Sequence, residues 1–195
     1  PTQRSWSRTG AAVAMIAGHV LAPWRSSWRR SWGARPDELT RTLPGDELIP
    51  TPTWEYTHAI SVDAPPEDVW PWVAQLGQER GGFASFERLE NLFGCHITNA
   101  DRVVEEWQHP AVGQVVHIHP KAPALHVAVV QPGRSLVLHG AGPEDPEPAT
   151  DNVWAFHVVP DGQGRSRLIE RGRTLHGPSL VDRLSFGTAL IEPIG

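Results

Sequence analysis

Two imidazoles, His117 and His119, stand two residues apart, share one side of an extended chain, and have the spacing of a metal clip. A third ligand would have to come from His126, His139 or His157, and neither an HExxH run nor a carboxylate cluster accompanies them. Ten histidines in 195 residues produce such pairs by chance, so no metal is expected. Glu87 and Glu90 lie at i and i+3 in a helical run, followed by Glu105 and Glu106. Carboxylates at a pocket mouth could act as acid and base, although exposed helix faces carry such pairs routinely. Glu170, Arg171 and Arg173 could polarise a carbonyl; a solvated strand face is the plainer account. Cys95 adjoins His96, but neighbouring side chains diverge, and a nucleophilic thiol would need a distant base. The weak catalytic candidates are therefore His117, Glu90 and Glu170. With no phosphate-cradling glycine loop and no dinucleotide fingerprint, no cofactor is expected.

A second kind of chemistry sits at the start. Trp24, Trp28 and Trp32 recur every four residues, on one face of a helix, with Arg25, Arg29 and Arg30 beside them. Indole rings at headgroup depth and arginines on anionic lipid make a sensible membrane contact. The preceding apolar run from Gly10 to Ala22 is too short to span a bilayer. It also reads as the middle of a secretion signal, or as plain packing of an N-terminal helix. Residues 1–35 hold six arginines and no acid, while the whole chain has 17 basic and 22 acidic residues, so the remainder is strongly acidic. That balance offers no field for nucleic acid outside the first segment. A single cysteine excludes an internal disulfide framework. A cytoplasmic location is expected, with the basic segment as the feature that would bring it to a membrane.

The elements that must position these groups follow from periodicity. Residues 36–53 are polar and rich in proline, a linker that wraps onto the domain. Trp54–Asp63 alternates, placing Tyr56, His58, Ile60 and Val62 on one face and Thr57, Ala59 and Ser61 on the other. Pro65 and Pro66, followed by Glu67 and Asp68, open a helix whose stripe is Val69, Trp72, Val73 and Leu76, with Pro71 as an awkward interior residue. A second short helix is predicted over 83–93. Strands are predicted at Arg102–Trp107, Gln114–His119, Leu125–Val130, Ser135–His139, Val153–Val159 and Arg167–Thr174, several of them separated by Pro-Gly or Asp-Gly turns. Helical period returns from Pro178. The fold class is thus α+β: a curved antiparallel sheet of about six to seven strands around a C-terminal helix, with two short helices after the first strand.

The stretch ISVDAPPEDVWPW, Ile60–Trp72, resembles the strand-to-helix opening of the SRPBCC superfamily, the START-related, pollen-allergen-like and polyketide-cyclase-like helix-grip proteins. RGGFASFERLENLFG, ADRVVEEWQ, VGQVV and LPGDELIP extend the resemblance to an uncharacterised actinobacterial group, over residues 43–195. The resemblance implies a cavity between sheet and closing helix that takes lipids, sterols or polyketides; a minority of members catalyse cyclisation or dehydration. It implies a closing helix of five or more turns, whereas LVDRLSFGTALIEPIG supplies three or four, so either the sequence is cut short or the grip is incomplete. The chain divides into a basic Trp-rich segment (1–35), a linker (36–53) and a ligand-binding domain (54–195).

On this logic Ile60, Val62, Trp154, Phe156, Val158 and Leu168 face the concave side, and Phe83, Phe86 and Trp107 sit at its mouth. The expected function is binding of a hydrophobic small molecule or lipid. The alternative is a cyclase or dehydratase acting on a polyketide-like or lipid substrate in the same cavity, and a third reading is a solid core used only for partner contacts.

Overall fold

The computed structural model describes residues 30–78, 80–82, 100–118, 124–141 and 151–175. Six strands form one antiparallel, curved sheet. They are β1 (Trp54–Val62), β2 (Val115–Val116), β3 (Leu125–Gln131), β4 (Ser135–His139), β5 (Asp151–Pro160) and β6 (Ser166–Leu175). Their spatial order is β1-β6-β5-β4-β3-β2, so β2 to β6 form a meander and β1 returns to pair with β6. Two helices are described, α1 (Pro36–Thr40) and α2 (Pro66–Ala74). The predicted helix over 83–93 and the closing helix from Pro178 lie outside the described residues.

The helix α2 starts where the sequence places it, with Pro66 in its first turn and Glu67 and Asp68 at the positive end of its dipole. It runs through Pro71 to Ala74. Val69, Val73 and Leu76 pack on Val127, Leu136, Leu138, Phe156 and Val158, the main core. Trp72, placed in the core stripe by periodicity, is 44% exposed, and Trp70 packs there instead.

Two predicted strands are corrected. Arg102–Trp107 is irregular and ends in a 3-10 turn, Glu105–Trp107. The buried amide of Gln75 explains this: its Oε1 accepts from Val104 N (3.1 Å) and its Nε2 donates to Arg102 O (3.2 Å), so this backbone satisfies its groups on a side chain instead of a ladder. Gln114–His119 shrinks to the two residues of β2. Gly113, with φ 86°, and Gln114 still exchange hydrogen bonds with Val127, but through a turn.

The opposite face of the sheet is covered by residues 30–53, which act as a strap. Ile49 packs on Val137, Val153 and Ala155, and Leu43 on Ala59 and Ile169. Gly45, with φ 97°, lies so close that an added Cβ would meet Val137 Cγ1 at 2.7 Å. Alternation along β6 sends Arg167, Arg171 and Arg173 into the strap. Arg167 grips Glu38 through two bonds, Nε to Oε1 (2.8 Å) and Nη2 to Oε2 (2.7 Å), and also donates to Gly33 O (2.8 Å). Arg171 donates to Asp46 Oδ2 (2.7 Å), Arg41 O (3.0 Å), Glu38 O (2.6 Å) and Thr57 Oγ1 (3.0 Å). Arg173 reaches Glu55 Oε2 (2.6 Å), Asp46 Oδ1 (3.2 Å) and Ile49 O (3.0 Å). The solvated strand face expected around Arg171 and Arg173 is therefore not found, because the strap removes it from water: the Arg171 side chain is 3% exposed. Burial of charge is tolerated because each guanidinium is paired and its donors are used.

Candidate functional site

The α2 side of the sheet carries the apolar residues predicted to face a ligand, and the register puts them in rows. Ile60, Leu168 and Val158 are cross-strand neighbours, and Phe156 lies one row further along β5. Phe156 and Val158 are buried; Val62, Trp154 and Leu168 are half-buried against the core; Ile60 is 42% exposed. Trp107 is half-buried in the 3-10 turn, where its carbonyl accepts from Arg80 (2.8 Å). Phe83, Phe86 and Glu90 lie outside the described residues, as do Glu87, Cys95 and His119.

The polar centre of this side is Glu170. In the row His58–Glu170–Phe156 it stands between two rings, and in the next row Gly172 stands between Tyr56 and Trp154. Glycine is what the arrangement requires: a Cβ at 172 would overlap the Tyr56 ring. Tyr56 and Trp154 therefore reach across the vacant position to the same carboxylate oxygen. Tyr56 Oη donates to Glu170 Oε1 at 2.6 Å, and Trp154 Nε1 donates to it at 2.6 Å. His58 Nδ1 lies 3.8 Å from Oε2. The rings continue as an aromatic wall. Trp54 and Tyr56 are 5.1 Å apart between centroids, Tyr56 and His58 4.6 Å, and Trp154 and Phe156 4.9 Å. Trp32, from the strap, meets His58 edge-on at 6.3 Å.

Burial pushes the Glu170 carboxyl up, but His58 beside it and the hydrogen bonds from Tyr56 and Trp154 outweigh that push and hold the group below its ordinary range. Burial, with the Glu170 charge beside it, drives the Tyr56 phenol well above its ordinary range. At neutral pH the pair is a fixed carboxylate and a fixed phenol. A carboxylate so stabilised is a weak base, and a phenol so shifted is a weak acid, which suits recognition better than proton transfer.

Tyr56, His58 and Gly172 were not among the sequence-derived site residues. The alternation of WEYTHAISV already put Tyr56 and His58 on the face of Ile60 and Val62; only the pairing with β6 shows what they touch. The other candidates are dispersed. His117 is exposed just beyond β2, its carbonyl accepting from Gln78 N (2.9 Å). His126, His139 and His157 belong to the strap side of the sheet: His139 binds Asp151 (2.6 Å), and His157 binds Ser135 (3.0 Å). Among the described residues no cluster of three ligating side chains could hold a metal. Trp24, Trp28, Arg25 and Arg29 lie outside the described residues. Trp32 is 43% exposed. No helix among the described residues is long and apolar enough to cross a membrane.

No protein-family model matches the chain, and no curated protein matches it. Solved structures do resemble it. Norcoclaurine synthase from Thalictrum flavum, in complex with dopamine and hydroxybenzaldehyde, is 14% identical, covering 78% of this chain and 88% of its own, with a TM-score of 0.42. Protein MLL2253 from Mesorhizobium loti is 20% identical over 69% of this chain and 86% of its own, with a TM-score of 0.37. CalU16 from Micromonospora echinospora is 14% identical over 71% and 73%, with a TM-score of 0.37. The class is defined by the strand order and register themselves: an α+β protein with a curved six-stranded antiparallel sheet whose first strand returns to the edge beside β6.

Proposed function

We infer that this protein binds a small, largely hydrophobic molecule on the α2 side of the sheet, against β1, β6 and β5. The observation that carries the reading is the grouping of Tyr56, His58, Trp154, Phe156 and Leu168 around one half-buried carboxylate, Glu170. An apolar wall with a few placed polar groups is the usual make-up of a small-molecule site. Each 100 Å2 of apolar guest surface removed from water contributes about 2.5 kcal/mol. Binding is favoured over the cyclase or dehydratase reading because Glu170 and Tyr56 are each held away from neutral pKa.

Native mass spectrometry of the purified full chain tests this. The expected result is a discrete added mass that organic extraction removes and that Trp154→Ala reduces. A chain that carries no guest, and takes up none from a panel of apolar aromatics, contradicts the reading. Membrane contact by Trp24, Trp28 and Trp32 with Arg25 and Arg29 is a separate proposal, supported by their spacing. Flotation with anionic liposomes tests it: replacing the three tryptophans by alanine should release the protein, and unchanged flotation would refute the contact.

A further inference from the structure

The sheet offers two environments for charge, and one of them is incomplete. Every arginine that β6 sends to the strap side is matched by a carboxylate there. Glu170, on the other side of the same strand, receives donors but has no guanidinium or ammonium beside it among the described residues. Its Oε1 is taken twice, by Tyr56 and Trp154. His58 Nδ1 stands 3.8 Å from Oε2, a contact at ion-pair distance that is longer than either bond to Oε1. The Glu170 side chain is 28% exposed, so the carboxylate keeps part of its water.

Building on the binding reading above, we propose that the preferred guest is an organic ammonium: an apolar, ring-sized body carrying a protonated amine that donates to Glu170 Oε2. Three pieces of chemistry lead there. A neutral apolar guest would strip the remaining water from the carboxylate and give nothing back. A guest with its own carboxylate, such as a fatty acid, would add like-charge repulsion to that loss. An ammonium replaces the lost water with a charge-assisted hydrogen bond. The arginines of the strand cannot compete for Oε2, since alternation points them to the other side and the strap holds them there.

Three naphthalene probes of equal ring size separate the cases: naphthalen-2-ylmethylammonium, naphthalen-2-ylmethanol and 2-naphthoate, each titrated calorimetrically into the full chain near neutral pH. The ammonium should bind about tenfold tighter than the alcohol or better, and the carboxylate weaker than the alcohol. Glu170→Gln should bring the ammonium and the alcohol within about threefold of each other. An alcohol bound as tightly as the ammonium in the unaltered chain overturns the proposal and leaves the apolar site standing. An ammonium preference that survives Glu170→Gln also overturns it. Failure of all three probes to bind removes the underlying site, and the proposal with it. The order of affinities in the unaltered chain is decisive by itself, so an E170Q chain that fails to fold does not block the test; Glu170→Asp, shorter by one methylene, should then narrow the gap.

Discussion

One strand, β6, faces two ways, and its two sides solve different problems. Toward the strap it presents Arg167, Ile169, Arg171 and Arg173; toward α2 it presents Ser166, Leu168, Glu170 and Gly172. On the strap side the three β6 arginines are buried in matched pairs, with carbonyls taking their spare donors, while Arg41 Nε, His126 Nδ1 and His157 Nε2 are buried without a hydrogen-bond partner. On the α2 side a single carboxylate is held by Tyr56 and Trp154, with His58 at 3.8 Å, and remains partly exposed. The contrast separates charge used to seat a segment of chain from charge available for recognition. Burial alone does not distinguish them; the completeness of pairing does.

The largest way to break the contrast is to unpair the strap. Glu38→Gln leaves the Arg167 guanidinium buried with half its partner gone, and should cost about 3–5 kcal/mol in urea unfolding. Adding Arg167→Met should recover most of that loss; a single variant as stable as the parent would show that the strap does not depend on the pair.

Next is pH. His157, under the strap, is held at about 4 against an ordinary 6.5, chiefly by burial and then by Arg171. The unfolded chain takes up the proton first, so stability is full above 6.5 and falls as pH drops toward 4, by about 3 kcal/mol. Denaturation midpoints across that range check it, and His157→Gln should flatten the slope.

The α2 side is probed by smaller changes. Gly172→Ala drives a methyl into the Tyr56 ring; it should cost about 1–3 kcal/mol and abolish probe binding, because Tyr56 must leave Glu170. Tyr56→Phe removes one of two donors to Glu170 Oε1. It should cost about 1–2 kcal/mol and let the carboxyl titrate closer to its ordinary range, followed by carbon NMR of the side chain. Ile60→Ser, at an exposed position on the same side, should move stability by no more than about 0.5 kcal/mol while weakening probe uptake, seen in the same calorimetry.

Much of the sheet was legible because alternation and turn chemistry are local. Ser135–His139 was bounded correctly, and the β5 and β6 runs were short by only a residue or two at each end. The failures have a common cause in partners remote in sequence. Val103 and Val104 read as strand residues until Gln75 takes the backbone groups around them. Arg171 and Arg173 read as solvated, since nothing local announces that residues 30–53 return to cover them. The site was half visible. Trp154, Phe156 and Leu168 followed from alternation, but Glu170 acquires its meaning from Tyr56, which precedes it by 114 residues. The vacancy at Gly172 that lets the two rings converge is a property of the pairing, which no single stretch displays.

The account stands on the guest occupying the α2 side and not the strap side, and side-chain nitrogen NMR reads both at once. Titrating naphthalen-2-ylmethanol into the full chain should shift the Trp154 indole Nε1–H resonance progressively to saturation, since that proton is bonded to Glu170. The Arg167 and Arg171 Nε–H resonances, locked to Glu38 and Thr57, should stay in place. A saturable shift of the arginine signals with an unmoved Trp154 would contradict the account.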